Sequence, residues 1–258
     1  MISPILVTND DGIHAPGLAA AEAIARQLSD DVWVVAPQDE QSGASRSLSL
    51  SVPIRLQQAG EKRYAVRGTP VDCVILAIRH LMPEKPALVI SGVNRGQNIA
   101  DDITYSGTIA AAIEGAAFDV PSFALSQCYG IETMKDVPFQ VAQAHGAATI
   151  RAALEAGKGA GRLFNVNFPD CAADAVRGMA VTRQGKRDVN ELIVEQRTDL
   201  RRRSYYWLGF RRQANHPPRG TDLFAVQNRL ISITPLTMNL TDEAAMKVLQ
   251  EHLGNGLM

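Results

Sequence analysis

The stretch ILVTNDDGIHAPG, residues 5–17, runs from a short apolar segment straight into an asparagine, two adjacent aspartates and a glycine. Ile5 to Thr8 has the unbroken pattern of a strand covered on both faces in a parallel sheet. The pattern then turns helical: Leu18, Ala21, Ile24, Ala25 and Leu28 recur at helical spacing, and Pro16 stands where an early helical position tolerates it. DVWVVAP, residues 31–37, reads as a second strand. The three pieces together predict a βαβ opening.

The same alternation continues outward. VDCVILAIRHLM (71–82) reads as a helix, PALVISG (86–92) as a strand, and SGTIAAAIEGAAF (106–118) as a helix rich in small residues. VPSFALSQ (120–127), QVAQAHGAATIRAALEAG (140–157) and RLFNVNFP (162–169) then add a strand, a helix and a strand. Regular alternation of this kind predicts an α/β fold, a doubly wound and mostly parallel sheet with helices on both faces.

Beyond Pro169 the character changes. GMAVTRQGK (178–186) and RLISITPL (229–236) look like strands, but RTDLRRRSYYWLGFRRQANHPPRGTD (197–222) is dense in arginine, aromatics and turn formers. With no helical repeat and too few apolar positions for a core, it reads as an extended hairpin or arm that packs on another subunit. LTDEAAMKVLQEHLG (240–254) reads as a terminal helix, with Thr241 as a candidate N-cap. The expected division is a catalytic core over 1–185, then an oligomerising arm, a returning strand and a terminal helix over 186–258.

Composition excludes several functions. The formal charge is -1, with 26 basic against 27 acidic residues, so no whole-chain field favours a nucleic-acid polymer or a membrane. Cys73, Cys128 and Cys171 are odd in number and widely spaced, which fits neither a disulfide framework nor a zinc site and suggests a reducing cytoplasm. MISPILVTNDD lacks the basic and long apolar regions of a signal peptide, and no stretch approaches the roughly 20 apolar residues of a membrane span.

In open α/β sheets, ligands bind beyond the carboxyl ends of the strands. Asp10 and Asp11 follow the first strand, Ser42 and Ser45 the second, and Asn94 and Asn98 the strand ending near Ser91. All are expected on one rim. Adjacent carboxylates repel when desolvated together, so such a site protonates one or binds a cation. A serine hydroxyl and asparagine amides among the neighbours make an all-oxygen set, which suits Mg²⁺ or Mn²⁺. The plainer reading is a turn and helix cap. Ser106, Gly107 and Thr108, just before a helix, either bind an anion or form an ordinary N-cap. A carboxylate-held metal beside a helix-terminal anion site suits phosphomonoester hydrolysis by water.

Five blocks, ILVTNDDGIHAPG, VVAPQDEQSGASRSLSL, GTPVDCV, SGVNRGQN and DDITYSGTIAAAIEG, occur in order and together resemble the signature blocks of the survival protein SurE family of metal-dependent nucleotidases. YYWLG, GTDLFAV and ISITPL resemble its C-terminal blocks. The resemblance implies a Rossmann-like core and one divalent metal ion per subunit, held by Asp10, Asp11, Ser42 and Asn94. It places phosphate near Gly43, Asn98, Ser106, Gly107 and Thr108. It implies hydrolysis of nucleoside 5'- and 3'-monophosphates, with short polyphosphate a further substrate, and an arm and terminal helix exchanged within a dimer or tetramer. Asn228 stands where members of the family often carry glycine, and the arm is unusually basic.

Asp10 or Asp11 is then also the acceptor of the water's proton. Two rival readings are an aspartyl-phosphate phosphatase, whose aspartates are two residues apart rather than adjacent, and a nucleotide sensor without turnover. His14 is a candidate proton donor or a packed helix-start histidine; His80, His145 and His252 read as structural or solvated, and His216 sits in the arm. Asp101 and Asp102 either orient metal-bound waters or cap and pair with Arg95, and Asp72 either braces the rim or starts a helix. The arginines between 197 and 212 attract a polyanion or form a solvated face or interface.

Overall fold

A computed structural model of the chain describes residues 2–130, 132–133, 135–157, 162–186, 192–210 and 216–253. The opening unit is β1 (Ile5–Thr8), α1 (Pro16–Arg26) and β2 (Val32–Pro37). β1 pairs in parallel with β2 on one side and with β5 (Leu88–Arg95) on the other, which buries all four of its residues completely. A central parallel strand has no wet face, so its side chains do not alternate.

The remaining core elements are β3 (Arg55–Gly60), β4 (Arg63–Arg67), α2 (Pro70–Leu76), α3 (Gly107–Ala117), β6 (Ser122–Gln127), α4 (Gln140–Ala156), β7 (Leu163–Phe168), β8 (Met179–Val181), α5 (Asp222–Gln227) and β11 (Ile231–Leu236). They form one nine-stranded sheet in the order β3-β4-β2-β1-β5-β6-β7-β11-β8. β4 through β7 are parallel neighbours, while β3 and β11 run antiparallel to β4 and β7. On one face Leu18 and Ile24 of α1 and Ile150 of α4 pack over Val7, Ile90 and Phe123. On the other, Val74 of α2 and Ala111 of α3 cover Leu6, Val35 and Val89. The predicted α/β, mostly parallel sheet with helices on both faces is therefore the observed architecture, and strand order reverses between β1 and β5.

Four local details depart from expectation. The β3–β4 hairpin has no counterpart in the sequence reading. α2 stops at Leu76 and the chain winds on through a wider π turn over Ala77–Leu81, so the predicted helix keeps its extent but changes pitch. α5 occupies the chain just past the arm and starts from Thr221, whose hydroxyl accepts the amide of Phe224. The terminal helix α6 (Glu243–Leu253) is capped by Asp242, which accepts the amide of Ala245 at 2.9 Å, and Thr241 lies one residue upstream of that role.

The arm contains a hairpin of β9 (Leu192–Thr198) and β10 (Ser204–Phe210), paired antiparallel as a separate two-stranded sheet. Arg211 and Arg212 of its basic run lie outside the described residues. β11 then re-enters the main sheet between β7 and β8. Among the described residues, no helix is long and apolar enough to cross a membrane.

Candidate active site

The reversal point between β1 and β5 is where an open α/β sheet leaves a crevice, and the acid pair sits in it. Asn9, fully buried, ties the turn together: its amide donates to the carbonyl of Gly12 at 2.9 Å and its side-chain oxygen accepts the Gly12 amide at 3.3 Å. Neither aspartate caps α1, whose N-cap is Ala15 with no side-chain cap bond. Asp10 is 5% exposed, and its Oδ1 accepts the hydroxyl of Thr108 at 2.6 Å. Asp11 Oδ2 accepts the amide of Arg95 at 3.4 Å.

Both carboxyls hold their protons more tightly than usual. Burial is the main cause for Asp10, partly offset by the Thr108 hydrogen bond. Burial, reinforced by the charge of Asp10, lifts Asp11 from 3.8 to about 6. Two desolvated acids side by side are an electrostatic deficit that a cation would reverse.

The third expected residue arrives through a bulge. β5 and β6 pair Ser91 with Ala124 and then Asn94 with Ser126, so Gly92 and Val93 together oppose Leu125. Gly92 has φ +130°, and a β-carbon there would fall 2.3 Å from the Leu125 carbonyl oxygen, so only glycine fits. Bulges of this kind re-aim side chains beside active sites. Asn94 emerges onto the cavity with its amide donating to the Gly96 carbonyl at 2.8 Å.

Ser42 reaches the same cavity from the loop after β2, where its hydroxyl donates to Glu40 at 2.8 Å. The loop is anchored to the acid turn by the Gln41 amide, which donates to the Asp10 carbonyl at 2.8 Å. Asn98 is held from three sides: Asn167 accepts its amide, Asn165 donates to its carbonyl, and its own amide nitrogen reaches Ser126 Oγ at 2.9 Å.

Ser106 is the N-cap of α3, accepting the Ile109 amide at 3.1 Å, and it also lines the cavity. Gly107 and Thr108 stand behind Asp10 rather than on the cavity wall. A β-carbon on Gly107 would lie 2.8 Å from that of Asp10, so the glycine permits helix and acid to meet. Replacing Thr108 with valine keeps the packing but removes the shortest bond to Asp10. We expect about tenfold slower turnover with near-normal KM, read from steady-state phosphate release.

The cavity encloses about 720 Å³. Asp10, Asp11, Ser42, Gly43, Asn94, Asn98 and Ser106 line it, and Tyr129, Val137 and Phe139 add a wall that is apolar apart from Lys135 and Asp136. Sequence reasoning missed Asn9 and Thr108 as braces and all three residues of that wall. Braces are invisible locally, because Thr108 meets Asp10 only after 98 residues of intervening chain. His14 is exposed and does not line the cavity. Asp102 lines it, whereas Asp101 lies on the same short helical turn, and Ser45 ties its loop to that turn by donating to the Thr104 carbonyl. Asp72 makes a capping box with Thr69 and also accepts the Ser49 amide, so it starts a helix and fixes the loop after β2 together. His145 packs on the Ala173 carbonyl at 2.8 Å.

The oxygen-only donors on this side of the cavity fit a hard divalent ion. Asp10 and Asp11 supply charge, and Ser42 and Asn94 supply neutral oxygens.

The chain resembles known proteins along nearly its whole length. Residues 5–191 match the family described as Survival protein SurE. The protein named 5'-nucleotidase SurE from Methylobacterium sp. strain 4-46 is 55% identical over 251 residues, covering 97% of this chain and 99% of that one. Its namesake from Parvibaculum lavamentivorans is 54% identical over 97% of this chain and 91% of its own length. The crystal structure of the SurE protein from Aquifex aeolicus superposes with a TM-score of 0.82 at 35% identity, covering 96% of this chain and 99% of that chain.

Proposed function

This chain belongs to the survival protein SurE family, and from that premise we propose that it is a divalent-metal-dependent phosphomonoesterase acting on nucleoside 5'- and 3'-monophosphates, with short polyphosphate a further substrate. The observation that carries this reading is the pair of buried Asp10 and half-buried Asp11 in a cavity that also receives the N-terminus of α3. The relatives' printed name, 5'-nucleotidase, supports the reaction class.

In the proposed mechanism Asp10, Asp11, Ser42 and Asn94 hold one Mg²⁺ or Mn²⁺ ion. Bound there, the ion would neutralise the phosphate and lower the pKa of a coordinated water. Ser106 accepts the Ile109 amide, which leaves its proton to donate to a phosphate oxygen. Gly107 and Thr108, behind Asp10, lend the positive end of the α3 dipole to the same anion, while the Thr108 amide itself bonds the Asp10 carboxylate. Gly43, at φ +78°, and Asn98 complete the phosphate cradle. Asp10 or Asp11 takes the proton of the attacking water. The hairpin and α6 mediate homo-oligomerisation to a dimer or tetramer, and residues 1–185 form the catalytic part. Val194, Tyr206, Trp207 and Leu208 are each more than half exposed on the hairpin, which supports the arm's role as an interface.

A matrix of metals against nucleotides tests the reading through phosphate release. Turnover of AMP that needs Mn²⁺ or Mg²⁺ is expected. Binding without release under every metal would make the protein a sensor, and a trapped phosphoaspartate would replace water attack by carboxylate attack. Ser106→Ala is expected to raise KM about twentyfold, in the range of one lost hydrogen bond to a charged group, and to slow turnover in part. Unchanged constants would reduce Ser106 to a cap.

A further inference from the structure

The apolar wall of the cavity goes unused by the metal and the phosphate. We propose that Tyr129 is the platform on which the base of a nucleoside monophosphate stacks, an inference that rests on the nucleotidase reading above. Tyr129 lies two residues past the end of β6, half-buried, and lines the cavity. Its ring is backed by glycine: a β-carbon built on Gly96 would lie 3.1 Å from Cε1, 3.8 Å from Cδ1 and 4.0 Å from Cζ. Any other residue at 96, where φ is +114°, would be strained and would crowd the ring.

Position in the chain sets the distance from the chemistry. Gly96 is two residues from both Asn94 and Asn98, about 7 Å of extended backbone at most. The ring resting against Gly96 therefore stays close to the Asn94 and Asn98 side of the cavity that it lines. Tyr105 is adjacent to Ser106, at the phosphate end, and Phe139 is packed into the core below Gly17, so neither is as well placed.

The segment carrying Tyr129 is also stiffened from below. Gln127, 1% exposed, donates to the carbonyls of Cys128 at 3.1 Å and Pro169 at 3.0 Å, and accepts the Ala142 amide at 3.2 Å. The Cys128 amide donates to the Phe168 carbonyl at 2.9 Å. One side chain thus joins the ends of β6 and β7 to the start of α4. A ring held on such a base needs little ordering when it binds, and aromatic–base stacking tolerates every base because each has a π face.

The test compares AMP with ribose 5-phosphate, which keeps the sugar and phosphate but lacks the base. Tyr129→Ala and Tyr129→Leu are expected to raise KM for AMP on the order of tenfold, leave kcat nearly unchanged, and alter neither constant for ribose 5-phosphate. Tyr129→Phe, which retains the ring, should behave as wild type on both. A parallel loss on the two substrates, or no loss on AMP, overturns the platform. Equilibrium binding of both ligands with Mn²⁺ present separates the two claims. Base-dependent weakening in a protein that releases no phosphate keeps the platform and discards the nucleotidase, while turnover with base-independent effects does the reverse.

Discussion

Asp10→Asn and Asp11→Asn are each expected to lower kcat/KM for AMP by about a thousandfold or more, with circular dichroism unchanged. Asparagine keeps the shape and one acceptor oxygen. At position 10 it can still receive the Thr108 hydroxyl, and at 11 the Arg95 amide. In the proposed mechanism it removes the charge that would hold the ion, and with it the acceptor for the water's proton. The two variants differ in surroundings: Asp10 is clamped between Thr108 and Gly107, whereas Asp11 rests on one long bond. Asp10→Asn should therefore be the more rigid and less readily rescued by high Mn²⁺. Phosphate release at millimolar metal decides the matter, and near-normal rates in both variants would remove the pair from the site.

Much of this site was legible because its parts lie just past strand ends. β1 has no wet face, so Ile5 to Thr8 announces a central strand, and the residues after a central strand lie on the crevice. The same logic pointed to Ser42 and Asn98, whereas Asn94, expected beyond a strand ending near Ser91, lies within β5 and meets the cavity through the bulge at Gly92 and Val93. Where legibility failed, the cause was an interaction without a local pattern. β3 is an edge strand exposed along its whole length, so Arg-Leu-Gln-Gln-Ala-Gly carries no burial signature. Gly92 looks like an ordinary strand-end glycine until the Leu125 carbonyl is seen 2.3 Å from where its β-carbon would be. Asn228, which stands where members of the family often carry glycine, has φ −97° as the C-cap of α5, and the left-handed residue is the next one, Arg229 at φ 58°. The asparagine is accommodated by donating its amide to the Phe224 carbonyl at 2.8 Å.

The acid pair also makes stability depend on pH and metal together. Asp11 has its pKa raised from 3.8 in the unfolded chain to about 6 in the fold, and Asp10 moves the same way. Below pH 3.8 both states are protonated and the site is neutral to folding. As pH rises from there toward 6 the unfolded chain ionises first, the native state holds its proton, and stability falls. Above about 6 the full penalty is present, about 3 kcal/mol from Asp11 alone. Asp11→Asn has no such penalty. In EDTA the variant should be more stable than wild type at pH 7.5, and the gap should narrow at pH 5. Adding Mn²⁺ at pH 7.5 should reverse the order, because the ion binds only the charged native pair and stabilises by mass action. Urea denaturation at the two pH values, with and without Mn²⁺, measures all of this. A gap that ignores both pH and metal would mean that the paired acids are relieved by some other charge in the fold, and the case for a cation site there would fail on physical grounds independent of any assay of turnover.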